Sequence, residues 1–196
     1  CIRDSISGMY DDKFYAGVNS FFTVTSIITT TGYVSAHYGK WPMFSRNILI
    51  LLMFIGGSAG STAGGLKVSR ITMLCKSAIN QVKQTINPMR VTVNKLDGKK
   101  VDDEVENSVN KYLLVYLLIF VIFMLIVTLE TNDLETSFTA VATTFNNVGP
   151  GLGEFGPINS FTNLGYLSKF TLTLAMLFGR LELYPMILLF SPATYK

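Results

Sequence analysis

Two four-residue runs carry the residue types from which a cation site can be made of backbone alone: Thr30, Thr31, Gly32, Tyr33 and, far downstream, Asn147, Val148, Gly149, Pro150. Glycine permits backbone angles that other residues refuse. Threonine, asparagine and valine can pack behind such a turn. A turn of this kind can aim its carbonyl oxygens at a cation and replace the ion's water shell. A third stretch, Gly56, Gly57, Ser58, Gly60, Gly64 and Gly65 with Lys67 just after it, holds five glycines, two alanines, two serines and a threonine between Phe54 and Lys67. Small residues of this sort let backbones approach closely.

Other chemistries fit less well. A phosphate-binding loop needs glycine, four residues, glycine, then lysine and serine or threonine. Gly60 and Gly65 have that spacing, but Leu66 stands where the lysine belongs and Lys67 comes one place late. No strand pattern precedes the loop. The chain has one histidine, His37, which reads as an isolated exposed loop residue. No paired carboxylates, Ser/His/Asp set or metal-ligand cluster is present, so an enzyme and a resident cofactor are not expected. Cys1 and Cys75 lack disulfide or metal spacing.

The elements that must hold these runs are those of a membrane protein. Hydrophobic residues make up 49% of the 196-residue chain and charged residues 15%, against about 25% charged in soluble domains. Charge is segregated. Lys67 to Lys111 contains nine basic and five acidic residues, and Glu130 to Ser168 contains four acidic and no basic ones. The positive-inside rule places the first segment in the cytoplasm and the second outside. The apolar run 111–129 is long enough to cross between them. By contrast, the apolar run 43–55 is too short to span. A helix enters the membrane there and stops part-way, leaving loop backbone at a depth where only a protein interior or a wet cavity tolerates it.

In chain order, residues 14–29 read as a short buried helix ending at the first glycine turn. Residues 35–42 form an interfacial loop, with Trp41 as a membrane-interface anchor and Pro42 opening a helix over 42–55. Residues 67–90 read as a helix with Ile71, Leu74, Ala78, Val82 and Ile86 on one face. Its lysines face anionic lipid heads rather than nucleic acid. Residues 91–105 read as a loop or small hairpin, with a polar lead-in to the helix at 111. Asn132 or Asp133 caps the next short helix, and the last helix begins near 161–164 and is kinked by Pro185. Cys1 in place of a starting Met, and a chain ending soon after this helix, read as a fragment.

The chain also matches itself. At an offset of 117 residues, 20–33 meets 137–150, pairing Ser20 with Ser137, Phe21 with Phe138 and Gly32 with Gly149. At 123 residues, 45–57 meets 168–180, pairing Met53 with Met176, Gly56 with Gly179 and Gly57 with Arg180. The expected architecture is an all-α membrane protein of repeated transmembrane helix, pore helix, filter loop and transmembrane helix units, like a potassium channel. Residues 1–90 would be a third unit without its first helix, 91–110 a cytoplasmic linker, and 111–196 a fourth unit. Four units must surround one ion and this chain has two, so it either dimerises or belongs with two further copies upstream. A non-conducting accessory subunit is the alternative, and it would need no glycine at both 32 and 149. Arg180 is costly in an apolar helix. It reads as a pore-facing charge rather than a partner of Glu182.

The runs "TTTGY", "IGGSAGSTAGGLKVSR", "FNNVGPGLG" and "GRLELYPMILLF", in this order, resemble the Trk/Ktr/HKT potassium transporter superfamily, and within it the TrkH branch. The resemblance implies a multi-pass protein of the bacterial inner (plasma) membrane that carries potassium as substrate. It implies a cytosolic TrkA-type nucleotide-binding ring as partner and a homodimer of whole subunits. Thr30, Thr31, Gly32 and Tyr33 would be the third filter segment and Asn147, Val148, Gly149 and Pro150 the fourth. The loop Gly56 to Gly65 with Lys67 would be an intramembrane gate, and Arg180 a pore-facing arginine. Neither turn repeats the TVGYG of potassium channels. Only glycine is shared, which weakens the expectation of strict selectivity over sodium.

Overall fold

The computed structural model describes residues 2, 6–10, 12–58, 60–61, 63–88, 95–96, 99–131, 133–157, 161–181 and 183–189. Seven α-helices are formed among them: α1 (Lys13–Ile28), α2 (Met43–Phe54), α3 (Val68–Ile86), α4 (Asp103–Thr128), α5 (Leu134–Phe145), α6 (Tyr166–Leu181) and α7 (Leu183–Leu189). The only described strands are two-residue segments, β1 (Lys95–Leu96) and β2 (Lys99–Lys100), paired antiparallel as a small hairpin. The Asp97-Gly98 turn expected there lies outside the described residues.

Helix α4 is the one described helix long and apolar enough to cross a membrane by itself. Its 26 residues reach about 39 Å, beyond the roughly 30 Å hydrocarbon core. The polar stretch before Lys111, expected as a lead-in to the helix, forms its first two turns. It is held there by α3, whose Ser77 hydroxyl donates to Glu106. Arg70 of α3 also lies 4.0 Å over the Tyr112 ring. No residue of α3 is fully buried. Ile71 packs on the core of α4, while Val82 and Ile86 of the same stripe stay exposed.

Helices α4, α5 and α6 pack on one another around an aromatic cluster. Phe145 lies 4.7 Å from Tyr116 and 6.0 Å from Phe123, and Phe120 lies 5.3 Å from Phe138. Phe54, the last residue of α2, joins it at 5.5 Å from Phe120. A second core is built by α1 and α2 with Ile27, Leu49, Met53, Tyr38 and Trp41. Trp41 is therefore a core residue and not a lipid-facing anchor. It is 3% exposed and its indole donates to the Tyr10 hydroxyl at 3.3 Å. His37 is likewise half-buried in its loop rather than exposed.

The offset repeat is physical. Helices α1 and α5 end at equivalent residues, Ile28 and Phe145, 117 residues apart. Ser45 and Leu49 of α2, and their counterparts Ser168 and Leu172 of α6, are all buried. The last segment differs from expectation in two ways. A 3-10 turn at Phe161–Asn163 precedes α6, which starts at Tyr166. The chain then bends by more than 40° between Leu181 and Leu183 rather than at Pro185. Pro185 sits in the first turn of α7, where its missing N–H breaks no helical bond.

Both short helices open on an aspartate. Asp12 Oδ1 accepts from Phe14 N at 2.8 Å, and Asp133 Oδ2 accepts from Thr136 N at 3.0 Å. Asn132, the other candidate cap, lies outside the described residues. The Thr136 hydroxyl, the Thr136 N–H and, less strongly, the Glu135 N–H hold the Asp133 carboxyl below its ordinary value. A depressed carboxyl contributes stability above its unfolded pKa of about 3.9, which is lost as pH falls through the folded value. The thermal midpoint of the detergent-solubilised protein should therefore drop below about pH 4, and Asp133→Asn should flatten that acid limb. An unchanged acid limb in the variant would contradict the assignment.

Candidate ion pathway

The two glycine turns follow α1 and α5, and the same bonds form each. Thr29, Thr30 and Thr31 donate their N–H groups to the carbonyls of Thr25, Ile27 and Ser26; Asn146, Asn147 and Val148 donate theirs to Ala142, Thr144 and Thr143. Every pair of partners is related by the 117-residue offset. The backbone turns left-handed at equivalent places too: Thr30 (φ 53°) and Asn147 (φ 55°), then Gly32 (φ 75°) and Gly149 (φ 107°). Glycine takes such angles freely and asparagine with little penalty, but a β-branched threonine there is an outlier. Strain of this kind persists only where the surroundings over-determine it.

The turns also touch. A Cβ on Gly32 would lie 2.3 Å from the carbonyl oxygen of Val148 and 3.2 Å from the Pro150 ring. Val148 and Leu152 enter the core formed by α1 and α2, and the Tyr38 hydroxyl donates to the Pro150 carbonyl at 3.3 Å. Tyr33 contributes backbone here, since its side chain is 73% exposed. The C-terminal ends of α1 and α5, where helix dipoles are negative, thus converge on one pair of glycine turns.

The small-residue loop packs against the end of α5, where the second turn begins. Its neck is closed by backbone bonds, Gly56 N to Leu66 O at 2.8 Å, Leu66 N to Phe54 O at 3.2 Å and Val68 N to Gly57 O at 3.2 Å. Inside it, Ser61 N donates to Ser58 O. Lys67 Nζ donates to the carbonyls of Ser61 (2.7 Å) and Ala63 (2.6 Å). The loop presses on the end of α5. A Cβ on Gly64 would lie 2.2 Å from the Asn146 carbonyl oxygen, and one on Gly56 2.2 Å from that of Gly64. From the other side a Cβ on Gly179 of α6 would lie 1.9 Å from the Phe145 carbonyl oxygen.

Arg180 occupies the last turn of α6, the negative end of its dipole. It shares a cavity of about 230 Å³ with Gly60, Ser61, Lys67, Arg70 and Tyr112. Glu182, its weighed partner, lies outside the described residues.

Four contributors were not singled out by residue type. Asn146 is fully buried, donates to Ala142 O at 2.8 Å, and accepts from the Tyr116 hydroxyl at 2.7 Å. Ser26 and Thr143 donate to carbonyls of the turns. The serine and threonine content of the short helices was the available signal for the latter two. Nothing local marks Asn146 or Tyr116, which meet across 30 residues. Among the described residues no group of acidic, histidine or cysteine side chains could hold a metal ion.

The close approaches predict a ranking. Gly64→Ala and Gly179→Ala place a methyl on backbone that cannot move aside. Gly60→Ala meets no atom within 4 Å and bears only its left-handed angle (φ 84°), a cost of about 1–2 kcal/mol. The first two should lower the thermal midpoint clearly more than the third. Equal losses would show that the contacts at Asn146 and Phe145 do not constrain the fold.

Comparison with known proteins identifies a family. A family model described as TrkH, cation transport protein, matches residues 5–194. The chain is 36% identical over 177 residues to the Trk system potassium uptake protein TrkH of Escherichia coli (strain K12), covering 90% of this chain and 36% of that protein. It is 37% identical over 184 residues to the Trk system potassium uptake protein TrkG of the same strain, covering 94% and 37%. The crystal structure of the potassium transporter TrkH from Vibrio parahaemolyticus superposes with a TM-score of 0.90 at 34% identity, over all of this chain and 42% of that one. The chain thus spans little more than a third of the length of these relatives. It belongs to the TrkH family of cation transport proteins.

Proposed function

We propose that this chain supplies two of the units that line a monovalent-cation pathway through the bacterial inner membrane, with potassium as the preferred substrate. Residues 1–90 act as a third pore unit, 91–110 as a cytoplasmic linker and 111–196 as a fourth. Upstream units of the same polypeptide complete the ring. The observation that supports this most is the pair of equivalent turns, built from the same hydrogen bonds and touching through Gly32 and the Val148 carbonyl. Carbonyls of Thr30, Thr31, Gly32 and Tyr33, and of Asn147, Val148, Gly149 and Pro150, replace water around the ion. The negative ends of α1 and α5 favour a cation at that point. Glycine at both 32 and 149 speaks against a non-conducting accessory subunit.

The loop Gly56 to Gly65 is the gate in this reading. It is packed under the α5 terminus, its carbonyls are held by Lys67, and Arg180 faces it across a shared cavity. Opening requires the loop to leave the Asn146 carbonyl. A fixed positive charge beside the path slows a cation electrostatically. A cytosolic ring of TrkA type acting from the side of α3, and pairing of whole subunits as a homodimer, complete the assembly that the family relationship supports.

The test is flux through the full polypeptide reconstituted in liposomes. It should carry potassium down a gradient where empty liposomes do not. Gly32→Ala should cut that flux by at least about tenfold, since it adds left-handed strain of about 1–2 kcal/mol and sets a methyl 2.3 Å from the Val148 carbonyl oxygen. Arg180→Gln should raise it. Absent potassium flux in the parent protein would refute translocation, whereas unchanged flux in Arg180→Gln would remove the arginine from the gate.

A further inference from the structure

Ser26 and Thr143 stand at the same place in the repeat, each two residues before the end of its short helix. Each holds the following turn twice. Its backbone carbonyl accepts from the N–H of Thr31 or Val148, and its side-chain hydroxyl donates to a carbonyl of the turn itself. Ser26 Oγ reaches the Tyr33 carbonyl at 2.7 Å, and Thr143 Oγ1 the Gly149 carbonyl at 2.5 Å. Both side chains are buried, Thr143 completely. The acceptors are not quite equivalent. Gly149 corresponds to Gly32, so the third unit is tied one carbonyl further along than the fourth.

We propose that these two hydroxyls are positioning groups that set which cation the filter prefers. The inference rests on the ion-pathway reading above and adds a selectivity role that the turns alone do not carry. A carbonyl oxygen has two lone pairs. With one taken by a hydroxyl from the helix behind, the oxygen is tethered at a set distance from the axis of the pathway. A tethered oxygen cannot close in on a smaller ion. Thr30 and Asn147, the left-handed residues in front of each tether, and the strained Thr30 above all, would otherwise let the turn shift. The braces therefore penalise sodium, which needs shorter contacts, more than potassium. Staggering them at successive carbonyls stiffens two levels of the filter rather than one.

The experiment compares potassium and sodium flux through the full polypeptide in liposomes for the parent protein, Thr143→Val, Ser26→Ala and Thr143→Ser. Thr143→Val and Ser26→Ala remove the hydroxyl and leave the backbone bond in place. Each should lower the potassium-to-sodium ratio by about fivefold, the equivalent of a net hydrogen bond of about 1 kcal/mol. Thr143→Ser keeps the donor and should restore the parent ratio, which a loss of methyl packing would not. Should Thr143→Val fail to fold, Ser26→Ala, which deletes one atom, carries the same comparison. A ratio unchanged in the hydroxyl-deleted variants, with potassium flux intact in the parent, would overturn the brace. A parent that passes neither ion would overturn the pathway reading instead.

Discussion

Irregular backbone can lie inside a bilayer only if its N–H and C=O groups find partners within the protein, and most of this structure follows from that demand. The chain leaves regular helix at the end of α1, at the end of α2 and at the end of α5. In each case the freed groups are paired locally. The ends of α1 and α5 are closed by bonds from the turn back to the last helical residues. The end of α2 is closed by the neck of its loop, where Gly56, Leu66 and Val68 complete the pairing. The lysine that follows takes up two of the loop's remaining carbonyls.

Glycine is what allows these satisfied segments to be stacked. The terminus of α5 is approached by Gly64 of the loop and by Gly179 of α6, both at distances that exclude a side chain. The carbonyls of Phe145 and Asn146 are therefore covered by bare backbone from two directions. Gly56 and Gly179, equivalent in the repeat, are both excluded from carrying a side chain, Gly56 by the Gly64 carbonyl within the loop and Gly179 by the Phe145 carbonyl at the end of α5. A movement of the loop would be felt first at Asn146, one residue before the turn and bonded to Tyr116 of α4.

The two units share this plan but differ in cover. Nearly all of α5 is buried, and its Phe138 packs against Phe54 and Phe120. The counterpart on α1, Phe21, is 76% exposed. The second difference is at the loop, where Gly57 of one unit corresponds to Arg180 of the other. Insertion of a small-residue loop in one copy and of a charge in the other gives a shared cavity that neither copy would form alone.

Local physics was readable from residue order. Hydropathy marked α4, the run 43–55 was visibly too short to span, and Asp133 was legible as a cap. The internal repeat located both glycine turns, because left-handed backbone demands glycine or a tolerant residue wherever it occurs. What depends on partners far away was not readable. The polar start of α4 is helical because α3 lies against it. Trp41 is buried because Tyr10 and Tyr38 enclose it, and the bend between α6 and α7 precedes the proline that seemed to demand it. The sequence by itself determined a membrane chain of repeated short and long helices punctuated by glycine, because periodicity, charge and backbone freedom are properties of neighbouring residues. Only the tertiary structure decided that Gly32 meets the Val148 carbonyl, that Gly64 meets Asn146 and that Arg180 shares a cavity with the loop. Such contacts join segments some 80 to 120 residues apart, and their distances depend on how whole helices pack.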